Sequence, residues 1–103
     1  MYDQEAIKTV LPHRDPFLFC DRIIECSQEK TIAEVDYGPD REFFKGHFPD
    51  YPVCPGVILV ESMAQCGGAG YRLGSIGIWN GIARMRRYFI FSTQIRRIKQ
   101  ILF

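Results

Sequence analysis

Apolar and polar residues alternate most cleanly from Thr31 to Tyr37. Thr31, Ala33, Val35 and Tyr37 share one face, and Glu34 and Asp36 share the other. A period of two over that length predicts a half-buried strand. Phe17 to Cys26 is strand-like but two-sided, and Ser27-Gln28-Glu29-Lys30 between the two runs reads as a hairpin turn, without the Asn-Gly pair that marks the tightest ones. Near the start, Asp3 is placed to cap a short helix with Glu5 in its first turn, and Pro12 stops it. Residues 38–55 hold Gly38, Pro39, Gly46, Pro49, Pro52 and Pro55, too many breakers for a long helix or a central strand. Regular helix is predicted from Pro55-Gly56 to about Leu73, because proline suits the first helical position, where a backbone N–H would go unpaired. A Gly-rich linker, Gly74 to Gly81, follows, and Tyr88-Phe89-Ile90-Phe91 then predicts a buried strand. The last dozen residues stay ambiguous, since Ile95, Ile98 and Ile101 recur at helical rather than strand spacing.

At 103 residues the chain predicts a single domain, 1–103, because a second core would be too small to hold itself together. Hydrophobic residues make up 47% and charged residues 24%, which is globular composition rather than disorder. No stretch reaches the roughly 20 apolar residues of a membrane span, and the acidic N-terminus lacks a basic-then-apolar leader. Cys20, Cys26, Cys54 and Cys66 form no C-x-x-C pair and no zinc-ligand spacing, so they read as reduced structural thiols and point to the cytoplasm. All twelve acids lie at or before Glu61, and the seven bases after it have no acid among them. That asymmetry suits either an acidic macromolecular partner or a solvated basic edge. Gly67, Gly68, Gly70 and Gly74 match neither dinucleotide nor phosphate-loop patterns and instead permit close packing late in the helix. His13 and Arg14 could bind an anion, but a structural role is favoured after a short helix. A single aromatic cluster at Tyr88–Phe91 is thin support for nucleic-acid binding.

Three features carry chemistry. Val57, Ile58, Leu59, Val60, Met63 and Ala64 cover all sides of the long helix, which predicts burial throughout, with Glu61 in the middle. A carboxylate there must be paired, protonated or exposed in a cavity. Burial would let it hold a proton near neutral pH and donate it. The competing reading is a glutamate on a wet face, or one simply bonded to Gln65 a turn later. Ahead of the helix, Gly46-His47-Phe48-Pro49 sets a histidine, the side chain best matched to proton transfer at neutral pH, in a Pro-bounded aromatic loop. At the helix start, the N–H groups of Gly56 and Val57 lack intrahelical partners, and the missing side chain at Gly56 admits a substrate to the backbone. A base, an acid and a pair of donors for developing negative charge can abstract a proton beside a carbonyl and expel a neighbouring hydroxyl as water. That chemistry requires no metal, nucleotide or flavin.

The string GHFPDYPVCPGVILVESMAQ, Gly46 to Gln65, resembles the signature of the 3-hydroxyacyl-[acyl-carrier-protein] dehydratases of type II fatty acid synthesis. Within them it is similar to the chain-length-tolerant branch, which carries glutamate where the isomerising branch carries aspartate. LPHRDPFLFCDRI, Leu11 to Ile23, resembles the other recurrent segment of that branch, in order and spacing. The resemblance implies an α+β hot dog fold, an antiparallel sheet wrapped around a central helix at about residues 56–73. It implies that His47 and Glu61 are the catalytic pair and that the Gly56 N–H binds the thioester carbonyl; the neighbouring Val57 N–H is a second candidate donor from its place at the helix start, and Gln65, one turn past Glu61, a candidate support for it. It further implies dehydration of (3R)-3-hydroxyacyl-[acyl-carrier-protein] to the trans-2-enoyl form, with no cofactor or metal. The two catalytic side chains of that family meet across a homodimer interface, dimers assemble further into hexamers, and the acyl chain lies in an apolar tunnel there. Acyl carrier protein is acidic, which suits the basic C-terminal half and makes Arg84, Arg86 and Arg87 candidate contacts.

Family members continue for a few dozen residues past the position of Phe103, and Gln94 to Phe103 fits their pattern poorly. The sheet is therefore expected to be incomplete at its C-terminal end, with an unpaired edge. Two alternatives keep the fold: a non-catalytic thioester-binding or dimerising subunit, and a hot dog thioesterase. The second is disfavoured because water attack wants an ionised carboxylate as base, whereas a His–Glu pair fits elimination.

Overall fold

The computed structural model describes residues 1–27, 30–75 and 93–98, and the predicted strand at 88–91 lies outside them. Helix α1, Gln4–Lys8, opens as predicted: the Asp3 carboxylate accepts from the Ala6 N–H at 2.9 Å, Glu5 sits in the first turn, and Ile7 is the buried residue. The chain then turns at Thr9 and Val10 before Pro12.

Strand β1, Arg22–Cys26, begins five residues later than the apolar run at Phe17 suggests. The difference has a physical cause. Where a flanking strand would pair with Phe17 and Phe19, a single helix side chain does so instead. Gln65 accepts from the Phe19 N–H at 2.7 Å and donates to the Phe17 carbonyl at 3.0 Å. Those backbone groups are satisfied without ladder geometry.

Strand β2, Thr31–Val35, pairs antiparallel with β1, matching Arg22 to Glu34, Ile23 to Ala33 and Cys26 to Thr31, with a bulge between Ile23 and Glu25. Arg22 and Glu34, opposed in that register, also form an ion pair. The predicted alternation holds for Thr31, Ala33, Val35 and Tyr37, all buried, but Ile32 on the other face is buried too. At the hairpin, the Ser27 N–H donates to the Lys30 carbonyl at 2.8 Å. Strand β3, Thr93–Ile98, runs parallel to β2, so the expected antiparallel pairing is that of β1 with β2. The helical spacing of Ile95 and Ile98 does not prevail there, because a neighbouring strand offers the backbone partners that local pattern ignores.

Residues 38–55 contain only a short 3-10 helix, Glu42–Lys45, as the density of prolines and glycines requires. Helix α2, Gly56–Ser75, starts where predicted and runs two residues past Leu73. It lies against β1 and β2 through Ser62, Gln65, Cys66, Ala69 and Leu73, all buried and spaced as one face of a helix. Gly70 lets the helix approach the sheet: a Cβ there would stand 2.3 Å from the Thr31 side chain. Gly68 has open space around it, so close packing explains only some of the four glycines. Under the helix, the buried Tyr37 hydroxyl bonds to Ser62, which also donates to the Ile58 carbonyl at 2.8 Å. All four cysteines are free, and three of them are buried. A hydrogen bond with Cys20 and burial both push the Cys66 thiol up, which keeps it protonated.

One expectation fails. Helix α2 is not buried on all sides: Val57 is 76% exposed and Val60 61%, with Met63 also exposed. Among the described residues no helix is long and apolar enough to cross a membrane.

Candidate active site

His47 sits between the 3-10 helix and α2 in a loop tied to itself. Its N–H donates to the Phe43 carbonyl at 3.0 Å, and its carbonyl accepts from the Val53 N–H at 3.0 Å. Phe48 and Tyr51 exchange backbone hydrogen bonds at 3.0 and 3.1 Å, closing the turn that carries Pro49 and Asp50. The His47 ring stacks on Phe48, with centroids 4.2 Å apart, and its Nδ1 lies 2.8 Å from the Val53 carbonyl oxygen. A carbonyl can only accept, so Nδ1 carries a hydrogen and Nε2 points away from this bond. The ring is thereby fixed in orientation.

Glu61 lies on the second turn of α2 with its side chain 33% exposed, and Gln65 donates to its Oε1 at 2.9 Å. Of the options open to a carboxylate in this helix, the structure realises pairing and partial exposure instead of burial. Gln65 itself is 2% exposed and spends its amide on Phe17, Phe19 and Glu61. It couples Glu61 to the chain segment ahead of β1.

The helix start keeps its predicted donors. The N–H groups of Ile58 and Leu59 close on the Pro55 carbonyl at 3.0 and 3.3 Å, whereas those of Gly56 and Val57 find no acceptor among the described residues. Nothing stands within 4 Å of where a Gly56 Cβ would be, which leaves room for a ligand against the backbone.

Gln65 and Glu61 are brought together, and Gly56 and Val57 share their helix. His47 is not: within one chain no hydrogen bond or ion pair among the described residues joins it to Glu61. The structure instead brings in His13, whose Nε2 lies 3.7 Å from Glu61 Oε1. The sequence reading leaves His13 as structural, although it stands inside the Leu11–Ile23 segment, and that placement is the one signal that could have drawn it to the site. Arg84, Arg86 and Arg87 lie outside the described residues.

An open cavity of about 920 Å³ lies elsewhere, lined by Lys8, Arg14, Asp15, Asp36, Asp40 and Arg41 among others. Its cations are occupied: Lys8 by Glu5, Arg14 by the carbonyls of Lys8, Leu11 and His13, and Arg41 by the Asp36 carbonyl. Among the described residues no group of three or more His, Cys, Asp or Glu is placed to hold a metal ion.

Comparison with known proteins gives the family. The family model described as the FabA-like domain matches residues 11–102. A 3-hydroxyacyl-[acyl-carrier-protein] dehydratase FabZ of Listeria welshimeri is 41% identical, covering 92% of this chain and 72% of the relative. The protein of the same name from Oceanobacillus iheyensis is 39% identical over 84% of this chain and 66% of its own length. That from Clostridium perfringens is 48% identical over 65% of this chain and 48% of its own. Matched by that family model over most of its length and by relatives at about 40% identity, the chain belongs to the FabA-like family of hot dog proteins, on the side of the 3-hydroxyacyl-[acyl-carrier-protein] dehydratases.

Proposed function

We propose that this chain dehydrates (3R)-3-hydroxyacyl thioesters carried on acyl carrier protein to the trans-2-enoyl form, in fatty acid biosynthesis and in the cytoplasm. The observation that carries the mechanism is the hydrogen bond from His47 Nδ1 to the Val53 carbonyl at 2.8 Å. It leaves Nε2 to take the proton from C2 of the substrate. The thioester carbonyl accepts from the Gly56 and Val57 N–H groups, which stabilise the enolate as C2 loses its proton. Glu61 then delivers its proton to the C3 hydroxyl, the C3–O bond breaks, and water leaves. Gln65 holds the carboxyl group through Oε1.

His47 and Glu61 make no contact within one chain, so the reading takes two chains, His47 of one serving Glu61 of the other. Support for such a pairing comes from the uncovered apolar side of α2 at Val57, Val60 and Met63, close in sequence to the exposed Phe48 and Tyr51. A helix face of that character marks an association surface. Dimers of this kind are the units from which a hexamer would be built.

Hydration of a crotonyl thioester, followed through loss of enoyl absorbance, tests the chemistry in reverse. His47→Ala and Glu61→Gln are each expected to lower kcat by roughly 10²–10⁴-fold, the usual worth of a positioned acid or base. Wild-type turnover in either variant would refute the assignment of that residue.

A further inference from the structure

Two side chains converge on a single oxygen of Glu61. Gln65, one turn further along α2, donates to Oε1 at 2.9 Å. His13, in the segment ahead of β1, brings Nε2 to 3.7 Å from the same atom. Both side chains thus address Oε1.

The His13 ring packs on one side. It stacks on Phe17, with centroids 6.4 Å apart and planes 25° apart, and Phe17 is itself tied to Gln65 through its carbonyl. The Nδ1 atom of His13 is buried and has no hydrogen-bond partner among the described residues. Either tautomer leaves Nδ1 unpaired, but only a hydrogen on Nε2 has an acceptor facing it, the Glu61 carboxylate. The ring hydrogen therefore belongs on Nε2, which faces Glu61. At 3.7 Å the pair is not yet hydrogen-bonded, but closing by roughly 0.7 Å would make it so. Contacts to catalytic groups are commonly this long in the unliganded state and tighten around substrate.

We propose that His13 is a positioning residue for Glu61. Together with Gln65 it holds Oε1, so that Oε2 is the oxygen presented to the C3 hydroxyl of the substrate. The proposal rests on the reading of Glu61 as the acid, and it adds a second anchor drawn from the N-terminal segment. A histidine that only fills space beside Phe17 would have no such link to turnover.

The test compares steady-state hydration of a crotonyl thioester by the full chain and by H13F, H13Q, H13N and E61Q. Phenylalanine keeps the ring and its stacking but has no donor. H13F is expected to lower kcat on the order of 10-fold, the scale of a small misplacement of a reacting group, with KM unchanged. Glutamine places an amide N–H where Nε2 stands, and is expected to restore most of the loss. Asparagine is too short to reach, and is expected not to. Should H13F fail to fold, H13Q against H13N carries the same comparison between two neutral polar side chains. Wild-type kcat in H13F, equal impairment of H13Q and H13N, or a change confined to KM would overturn the role of His13. E61Q with wild-type turnover would overturn the acid assignment, and this proposal with it. An inactive E61Q beside an unimpaired H13F or H13N would overturn this proposal alone.

Discussion

At the scale of single residues, buried polar groups tie α2 to the segments flanking the β1–β2 hairpin, Gln65 to Phe17 and Phe19 and Ser62 to Tyr37. Tyr37 is 2% exposed, and burial pushes its hydroxyl up to about 12 from an ordinary 10.0, with the Ser62 hydrogen bond acting the other way. The sign follows from proton counts. Above pH 10 an unfolded chain loses the Tyr37 proton that the folded chain keeps, so unfolding is favoured as pH climbs. This contribution is intact below about pH 10 and is lost between about 10 and 12, and two pKa units amount to about 2–3 kcal/mol. Urea unfolding at pH 9 and pH 11.5 checks it: Tyr37→Phe is expected to lose less stability over that interval than wild type, by about 2 kcal/mol. Equal losses would mean that Tyr37 ionises as freely in the folded chain as in the unfolded one.

At the scale of elements, helix α2 was legible in detail and misread in one respect. Pro55-Gly56 announces its start, and the stripe from Ser62 to Leu73 supplies its buried face. The run of apolar residues predicts the same burial for Val57 and Val60, which are exposed, because a run of apolar residues does not say which side of a helix its sheet will cover. The candidate site divides the same way. His47 and Glu61 announce themselves by residue type and setting, Gly56 and Val57 by their place at a helix start. The late start of β1 was hidden, since nothing in the local pattern at Phe17 shows that Gln65, far along the chain, will take the place of a paired strand. His13 was hidden for the same reason, its partner being 48 positions away. Packing of α2 on β2 gives a direct check. Gly70→Ala would drive a methyl into Thr31, with 2.3 Å between them, and overpacking of this kind costs about 1–3 kcal/mol. Gly68→Ala, in open space, is expected to be neutral or mildly stabilising, since alanine favours helix by about 1 kcal/mol. A thermal unfolding comparison in which both variants behave alike would contradict the packing described for Gly70.

At the scale of the whole molecule, the site as proposed is divided between chains. His47 and Glu61 occupy one sequence without touching, and α2 carries an apolar side that its own sheet leaves open. Placing a charge on that side, as in Val60→Glu, is expected to weaken association and to lower activity along with it, while leaving the chain folded, because Val60 is 61% exposed within one chain. Sedimentation checks the first effect and the hydratase assay the second; a variant that remains associated and active would place the interface elsewhere. The division of the site is open to a sharper test. H47A and E61Q chains, each inactive alone, are unfolded together and refolded as a mixture. If His47 of one chain serves Glu61 of the other, half the dimers are mixed and each of these regains one intact site. About a quarter of wild-type activity is then expected, from the statistics of a two-fold assembly. A refolded mixture as inactive as its components, with both variants folded and associated, would contradict the account.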